Sequence, residues 1–180
     1  MRKILYVFGM LGLVCACTGV PEFSNIPLIS YNNVRVITKE EPGLLNITKK
    51  DSVVVSINFQ DGDGDLGFTA DELAVFKKIY GDSLKTYVID VFVKKNGKFL
   101  ESKPKEKFGG DVLFHLKEGS KSGPIEGVLD YSVNFEYGLY QGIPYMTGKN
   151  DTLKFAVTIK DRALNVSNKI ETNEFVVYKQ

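Results

Sequence analysis

The sequence predicts an all-β fold, an antiparallel immunoglobulin-like β-sandwich with one short helix. Several segments alternate apolar and polar residues, which is typical of strands with one buried face. Polar turns separate these segments, and no helical crossovers connect them. With 43% hydrophobic residues among 180, the chain can fill the core of one domain. A small barrel is the alternative arrangement.

Residues 1–16 are predicted to be a signal peptide. Arg2 and Lys3 precede an apolar stretch, residues 4–14, that is too short to cross a bilayer as a mature helix. The motif Val14-Cys15-Ala16-Cys17 then resembles the lipobox of bacterial lipoproteins. The resemblance implies cleavage after Ala16 and lipidation of Cys17, with a diacylglyceryl thioether and an acylated amine. A plain secretory signal with two incidental cysteines is the alternative.

Lipidation at Cys17 determines the chemistry left to the mature protein. Several acyl chains give stable anchoring in a membrane, because each buried methylene contributes about 0.8 kcal/mol. Both cysteines lie at or before the cleavage point, so we expect no disulfide and no thiolate ligand in the domain. Loss of Arg2 and Lys3 changes 23 basic and 22 acidic residues to 21 and 22. Because the remaining basic residues are scattered, no nucleic acid partner is expected.

The mature chain divides into a short tether and one domain. Residues 17–26 are predicted to form the lipidated tether, and residues 27–180 the sandwich. Terminal strands are predicted over 27–37 and 174–178, and Asn96-Gly97 predicts a hairpin turn. The clearest alternation lies in the segments Val53 to Phe59, Tyr87 to Val93, Leu129 to Tyr137 and Leu153 to Ile159.

The stretch from Gln60 to Gly67 alternates aspartates with glycines. Such a loop can turn tightly and point Asp61, Asp63 and Asp65 at one centre. Without a counter-ion these carboxylates repel one another, by about 3 kcal/mol per pair 5 Å apart at an effective dielectric constant near 20. We therefore predict a Ca²⁺ site with these residues as ligands. A solvated acidic turn is the alternative.

The spacing of the acids matches the carboxylate positions of an EF-hand calcium loop. With Asp61 at position 1, Glu72 stands at position 12 and is a predicted ligand. Leu66 replaces the usual glycine at position 6, Gly67 comes one residue later, and a strand precedes the loop in place of a helix. Glu72 also completes a capping box with Thr69 for a helix over residues 70–80, and this role competes with metal binding.

Asp161 is a further predicted metal ligand. In an immunoglobulin-like strand order, Asp61 to Asp65 would follow strand B, and Asp161 to Ser167 would join strands F and G. These two loops leave the sandwich at the same end. Asn165 could add a carbonyl oxygen. For both Asp161 and Asn165, a local side-chain turn that closes the hairpin is the alternative.

Four sequence motifs occur in a fixed order along the mature chain. They are I-N-F-Q-D-G-D-G-D-L-G, an N-G-K-F hairpin, I-E-G-V-L-D-Y, and D-T-L-K-F-A-V-T-I-K-D-R-A-L-N-V-S-N. Together they resemble a group of cell-envelope lipoproteins of Bacteroidota with immunoglobulin-like sandwiches and no assigned activity. The resemblance implies an envelope location, and Thr18 and Gly19 after Cys17 favour the outer membrane. Leu164 stands where a glycine is expected in the last motif.

The residue inventory favours a binding role over catalysis. His115 is the only histidine, so with no free cysteine the chain cannot form a zinc site or a catalytic triad. A carboxylate-dependent hydrolase is the weakest alternative, because no separated acid pair stands out. We expect a binding module for an envelope protein or a glycan, with Tyr137, Tyr140 and Tyr145 as stacking candidates or as core packing. A structural accessory subunit of an envelope complex, with no soluble ligand, is the alternative.

Overall fold

The computed structural model describes residues 22–42, 47–81, 84–103, 110–113, 116, 122–138 and 142–180. No helix in these ranges is long and apolar enough to cross a membrane. The elements within them are β1 Leu28–Pro42, β2 Ile47–Asp61, α1 Ala70–Tyr80, β3 Tyr87–Lys95, β4 Lys98–Ser102, β5 Gly110–Asp111, β6 Ile125–Glu136, β7 Asp151–Ile159, β8 Ile170–Glu171 and β9 Phe175–Val177.

The strands form two antiparallel sheets. The first sheet has the order β1-β2-β6, and the second has the order β4-β3-β7-β8, with β5 paired to β3 and β9 paired to β7. In immunoglobulin terms, strands A, B and E face strands C′, C, F and G. The predicted all-β sandwich with one short helix is therefore confirmed, and the sheets do not form the alternative barrel.

One hydrophobic core lies between the sheets, and the alternating apolar residues supply it. Val53, Val55 and Ile57 of the first sheet are fully buried, as are Leu153 and Phe155 of the second. Fully burying one such side chain contributes about 1.5–3 kcal/mol. The period-two pattern of the sequence thus predicts the strands, and its apolar residues stabilise the contact between the two sheets.

The two local turn and cap signals are confirmed. Asn96 and Gly97 have φ values of 49° and 77°, as a two-residue turn with matching strand twist requires. Helix α1 begins after Thr69, whose side chain accepts from the backbone N–H of Glu72 while the Glu72 side chain accepts from the backbone N–H of Thr69. This reciprocal capping box forms over the residues that predicted it.

The strand bounds differ from the prediction where apolar alternation fades. β1 continues beyond Ile37, and β2 begins before Val53. In this extension the Nζ atom of Lys50 lies 2.8 Å from a carboxylate oxygen of Glu41, so charged cross-strand pairs replace apolar packing. The sequence also did not predict β5 and β8, because two residues carry no readable period.

Strand direction brings several chain segments to one end of the sandwich. β2 ends at Asp61, opposite the start of β6 at Ile125, and β1 begins at Leu28, opposite Gln60. β7 ends at Ile159, opposite the first residue of β3. The loops after β2 and after β7 both leave the sandwich there. Because these loops carry Asp61 to Asp65 and Asp161, we call it the acidic end.

Candidate metal centre

Three aspartates from two loops converge at the acidic end. One carboxylate oxygen each from Asp61, Asp65 and Asp161 lies within 4.8 Å of the other two. Oxygens that share a Ca²⁺ ion at 2.3–2.6 Å lie no more than about 5 Å apart. The separation therefore suits one ion, and the prediction that these two loops meet is confirmed.

The carboxylates of the acidic loop carry oxygens that no donor satisfies. Among the described residues, Asp61 Oδ1, Asp63 Oδ1 and Asp65 Oδ1 are buried and have no hydrogen-bond partner. The whole Asp61 residue is 0% exposed. A buried carboxylate oxygen without a partner is costly, since it has lost water and gained nothing in exchange. A cation bound between the loops would give the oxygens of Asp61 and Asp65 a partner and offset the charge of Asp63.

The electrostatic environment disfavours the charged forms of these acids. Burial, together with the nearby Asp63 and Asp161 carboxylates, raises the pKa of Asp61 to about 6. Burial and the neighbouring aspartates raise the pKa of Asp65 to about 6 as well. At neutral pH the metal-free protein thus concentrates negative charge that it stabilises poorly, and a divalent cation would relieve this strain.

The backbone of the loop explains why glycine separates the acids. Asp61 Oδ2 accepts from the backbone N–H of Asp65 at 2.9 Å, which closes the loop on itself. Gly64 has a φ of +71°, and a Cβ atom there would lie 2.3 Å from the carbonyl oxygen of Gly123. The backbone N–H of Gly123 in turn donates to the carbonyl oxygen of Asp63 at 3.0 Å. Only glycine fits position 64 without a shift of this neighbour.

The other face of the loop packs against the start of the described chain. The backbone N–H of Gly62 donates to the carbonyl oxygen of Ser24 at 2.9 Å. A Cβ atom on Gly62 would lie 2.4 Å from the carbonyl oxygen of Phe23. The last residues of the predicted tether therefore contact the acidic loop directly, a contact that the sequence did not predict.

Asp161 closes its own turn while it faces the other acids. Its Oδ1 accepts from the backbone N–H of Asn165 at 2.7 Å, and its Oδ2 accepts from Asn165 Nδ2 at 2.8 Å. Leu164 has a φ of 64°, in the region that favours glycine, at the position where a glycine was expected. The turn interpretation is confirmed, and the same carboxylate also belongs to the three-acid group.

Glu72 lies outside the three-acid group. Its Oε2 accepts from the backbone N–H of Thr69 at 2.9 Å, and its Oε1 accepts from Arg162 Nη1 at 2.6 Å. The structure therefore gives Glu72 its capping role and an ion pair, and does not bring it to the other predicted ligands. Asp63 is also outside the group, although its buried Oδ1 is unsatisfied.

Arg162 is the site residue that sequence reasoning missed. Its backbone N–H and its Nε both donate to the carbonyl oxygen of Asp65, at 3.3 and 3.1 Å. Its guanidinium pairs with Glu72 and leaves the unsatisfied carboxylate oxygens without a donor. Arg162 thus joins the two loops through the backbone and does not take the place of a cation.

A groove lies on the outer face of the first sheet beside the acidic end. Its volume is about 470 Å³. Amides in it are held in place, since Asn58 Oδ1 accepts from Asn32 and Gln60 Nε2 donates to Glu126. Apolar and polar side chains mix along its lining, which consists of Leu28, Ile29, Ser30, Asn58, Phe59, Gln60, Glu126, Gly127 and Val128.

The proposed stacking tyrosines do not form one described platform. Tyr137 donates to Asp51 Oδ2 at 3.1 Å and packs against Tyr178, while Tyr145 is half exposed. Tyr140, His115 and the predicted lipidation residue Cys17 lie outside the described residues. Comparison with protein-family models, curated proteins and solved structures finds no match to the chain. Function is therefore inferred from the geometry of the acidic end.

Proposed function

We propose that the protein is a membrane-anchored lipoprotein whose β-sandwich is stabilised by Ca²⁺ and acts as a binding or interaction module at the cell envelope. The observation that supports it most strongly is the set of unsatisfied, buried carboxylate oxygens at the acidic end. Asp61, Asp65 and Asp161 are the proposed ligands, and Asp63 is close enough to raise the pKa of its neighbours. The proposed role is binding and not catalysis.

The donor set favours calcium over other ions. All candidate ligands are hard carboxylate oxygens, which suit Ca²⁺ and Mg²⁺ and not metals that prefer nitrogen or sulfur. Mg²⁺ demands near-ideal octahedral geometry and keeps most of its water, whereas Ca²⁺ accepts 6–8 oxygens in flexible arrangements. Carboxylates from two separate loops, which are not arranged as an octahedral cage by any single motif, suit the less demanding ion. We expect a dissociation constant on the order of 10⁻⁴ to 10⁻³ M, typical of extracellular modules.

A bound ion would join the two sheets at this end. Asp61 closes strand β2 of the first sheet, and Asp161 follows strand β7 of the second. At free Ca²⁺ ten times the dissociation constant, binding to the folded state alone stabilises it by about 1.4 kcal/mol. The ion would therefore fix the positions of the two loops relative to each other and to the two sheets.

Titration calorimetry of the full-length protein tests the ion directly. The wild type should give a saturable Ca²⁺ heat, and Asp65→Asn should give none. The exposed Asp71 of α1 provides the matched control, since Asp71→Asn removes the same charge outside the site and should leave the heat intact. A wild type without Ca²⁺-dependent heat would contradict the metal proposal.

The lipid anchor is supported by the leader, the lipobox motif and the position of Cys17. Intact mass of the membrane-extracted protein should show a chain that begins at Cys17 and carries acyl groups. A mature chain that begins at Cys15, or an unmodified Cys17, would contradict the anchor. This measurement is independent of the calcium titration, so each part of the proposal stands or falls alone.

The groove on the first sheet is the surface proposed to take a glycan or an envelope protein. Exposed Leu28 and Val128 supply apolar contact, and the fixed amides of Asn58 and Gln60 supply hydrogen bonds. Crosslinking in intact cells and a glycan array should each give a signal that Val128→Asp reduces. If Val128→Asp changes neither signal, the groove is not the binding surface.

A further inference from the structure

The exposed apolar residues are concentrated at the acidic end. Among the described residues, every large apolar side chain that is more than half exposed belongs to this end, with exposures of 52–66%. Two of them, Leu28 and Val128, line the groove described above. The others lie before β1, on α1 and in the turn after β7: Ile26, Val75, Ile79 and Val166.

Helix α1 carries two of these six side chains. Val75 and Ile79 are one turn apart and share one side of the helix. Phe76 packs edge-on against Phe68 with ring centroids 4.6 Å apart, so the helix is attached to the domain through a different side. No residue of α1 is buried. Val75 and Ile79 therefore form an exposed apolar pair that no other described element covers.

The start of the described chain lies at the same end. Ser24 contacts Gly62 of the acidic loop, and Leu28 opens β1 opposite Gln60. From Cys17 to Glu22 the chain can reach at most about 18 Å, at 3.3–3.6 Å per residue. If Cys17 carries the proposed lipid, the bilayer lies within that reach of the acidic end.

We propose that the acidic end faces the membrane and that α1 lies on the bilayer surface, with Val75 and Ile79 in the headgroup boundary. This inference rests on the proposed lipid anchor and adds to it an orientation of the domain. An interfacial helix places its apolar side about 5–10 Å into that boundary. The lipid anchor would keep the domain close to the bilayer. Val75 and Ile79 would determine which face of the domain contacts it.

The charges at this end fit a bilayer surface that contains anionic lipid. Lys78 follows Val75 by three residues and so shares the side of α1 that carries the apolar pair, and a basic residue there is attracted to anionic lipid. The aspartates of the acidic loop oppose this attraction. Ca²⁺ held by those aspartates would offset their charge, so docking should be stronger in Ca²⁺ than in chelator.

A single tryptophan reporter tests the orientation, because the chain contains no tryptophan. Full-length lipidated Ile79→Trp is reconstituted into phosphatidylethanolamine–phosphatidylglycerol vesicles with nitroxide-labelled lipid. We expect quenching at least about twofold stronger than for Tyr145→Trp, since a boundary residue sits within reach of the quencher. Tyr145 is the matched control, because it is half exposed and lies away from the acidic end.

A second measurement does not depend on the reporter. In the same vesicles a membrane-impermeant amine reagent should label Lys78 less than Lys149, and the double substitution Val75→Asp and Ile79→Asp should abolish that protection. Equal quenching of both reporters, or equal labelling of Lys78 and Lys149, would overturn the orientation. If the protein still co-sedimented with the vesicles, the anchor would stand. Failure to co-sediment would overturn the anchor and the orientation together, whatever the calcium titration shows.

Discussion

The two ends of the sandwich both bury aspartates, but they treat them differently. At the end away from the acidic loop, Asp51 is 1% exposed and its carboxylate is fully engaged. It accepts from Thr38 Oγ1 at 2.6 Å, from the backbone N–H of Tyr178 at 2.6 Å and from Tyr137 Oη at 3.1 Å. At the acidic end, three buried carboxylate oxygens have no donor. Burial alone therefore does not mark an acid as a candidate metal ligand. A buried carboxylate oxygen without a hydrogen-bond donor does.

Asp151 repeats the self-sufficient arrangement of Asp51. Its carboxylate accepts from the backbone N–H groups of Thr147 and Gly148 and from Thr147 Oγ1, at 2.7–3.0 Å. It holds the turn before β7 without any ion. The carboxylates of Asp51 and Asp151 have donors from the protein, whereas the described residues leave three carboxylate oxygens at the acidic end without one.

The comparison predicts its largest effect at Asp51. Asp51→Ala leaves the buried N–H of Tyr178 and the hydroxyl of Thr38 without their acceptor, so the free energy of unfolding should fall by about 3 kcal/mol. The midpoint of thermal unfolding should fall by roughly 6–12 °C in a domain of this size. The loss should be equal in Ca²⁺ and in chelator.

A surface acid gives the control for that substitution. Asp90 forms an ion pair with Lys169 at 2.7 Å on the surface, and Asp90→Ala should cost less than about 1 kcal/mol. If Asp51→Ala were no more harmful than Asp90→Ala, or if its cost depended on Ca²⁺, the distinction between the two ends would be wrong.

The next effect is a reversal of sign at Asp65. In chelator, Asp65→Asn should melt above the wild type, because it removes one of several repelling carboxylates. In Ca²⁺ at ten times the dissociation constant, it should lose the stabilisation of about 1.4 kcal/mol that the wild type gains. Paired melting curves in the two buffers measure the crossing. Parallel curves, with the variant on the same side in both buffers, would show an acidic turn without an ion.

The acidic loop was predictable because its signal is local. Asp61, Asp63 and Asp65 lie within five residues of one another in the sequence. The glycines between them predict a tightly turned backbone, and the structure contains one. The place of Asp161 followed from strand order, since the loops after strands B and F of this sandwich emerge at the same end. Spacing alone made Glu72 a predicted ligand, and it lies outside the three-acid group, while the capping box predicted from Thr69 and Glu72 is present.

Contacts between distant segments could not be read from the sequence. Arg162 donates to the carbonyl oxygen of Asp65 across 97 residues, and Gly62 donates to that of Ser24. No periodicity or motif in the sequence marks either contact. Every residue has a backbone carbonyl oxygen, so the residue type does not show which carbonyl accepts a distant donor. Asp51 likewise looks in the sequence like an ordinary polar residue at a strand end, and only the fold brings it to Tyr178.

A smaller effect than that at Asp65 is expected from pH. Burial and the neighbouring carboxylates raise the pKa of Asp61 and of Asp65 to about 6. The stability that their protonation confers is therefore complete below about pH 4 and is lost as the pH rises through 6. Protons and Ca²⁺ compete for the same oxygens. Lowering the pH from about 7.5 to 5.5 should therefore weaken Ca²⁺ binding roughly tenfold.

Titration calorimetry at several pH values, with proton uptake measured in two buffers, checks this competition. Proton release on Ca²⁺ binding should grow as the pH falls toward 6, and Asp71→Asn should show the same profile as the wild type. Ca²⁺ binding that is equally strong at both pH values would exclude these two carboxylates as the ligands.

The smallest expected effect separates the two roles of Glu72. Glutamine also serves at this position of a capping box, so Glu72→Gln keeps the helix cap and removes only the charge that pairs with Arg162. Both partners are partly exposed, and the free energy of unfolding should fall by no more than about 0.5 kcal/mol. Because Glu72 lies outside the three-acid group, the Ca²⁺-dependent shift in melting should be unchanged. A reduced shift would place Glu72 among the ligands after all. It would also mean that the loop closes further around the ion and breaks the contact with Arg162.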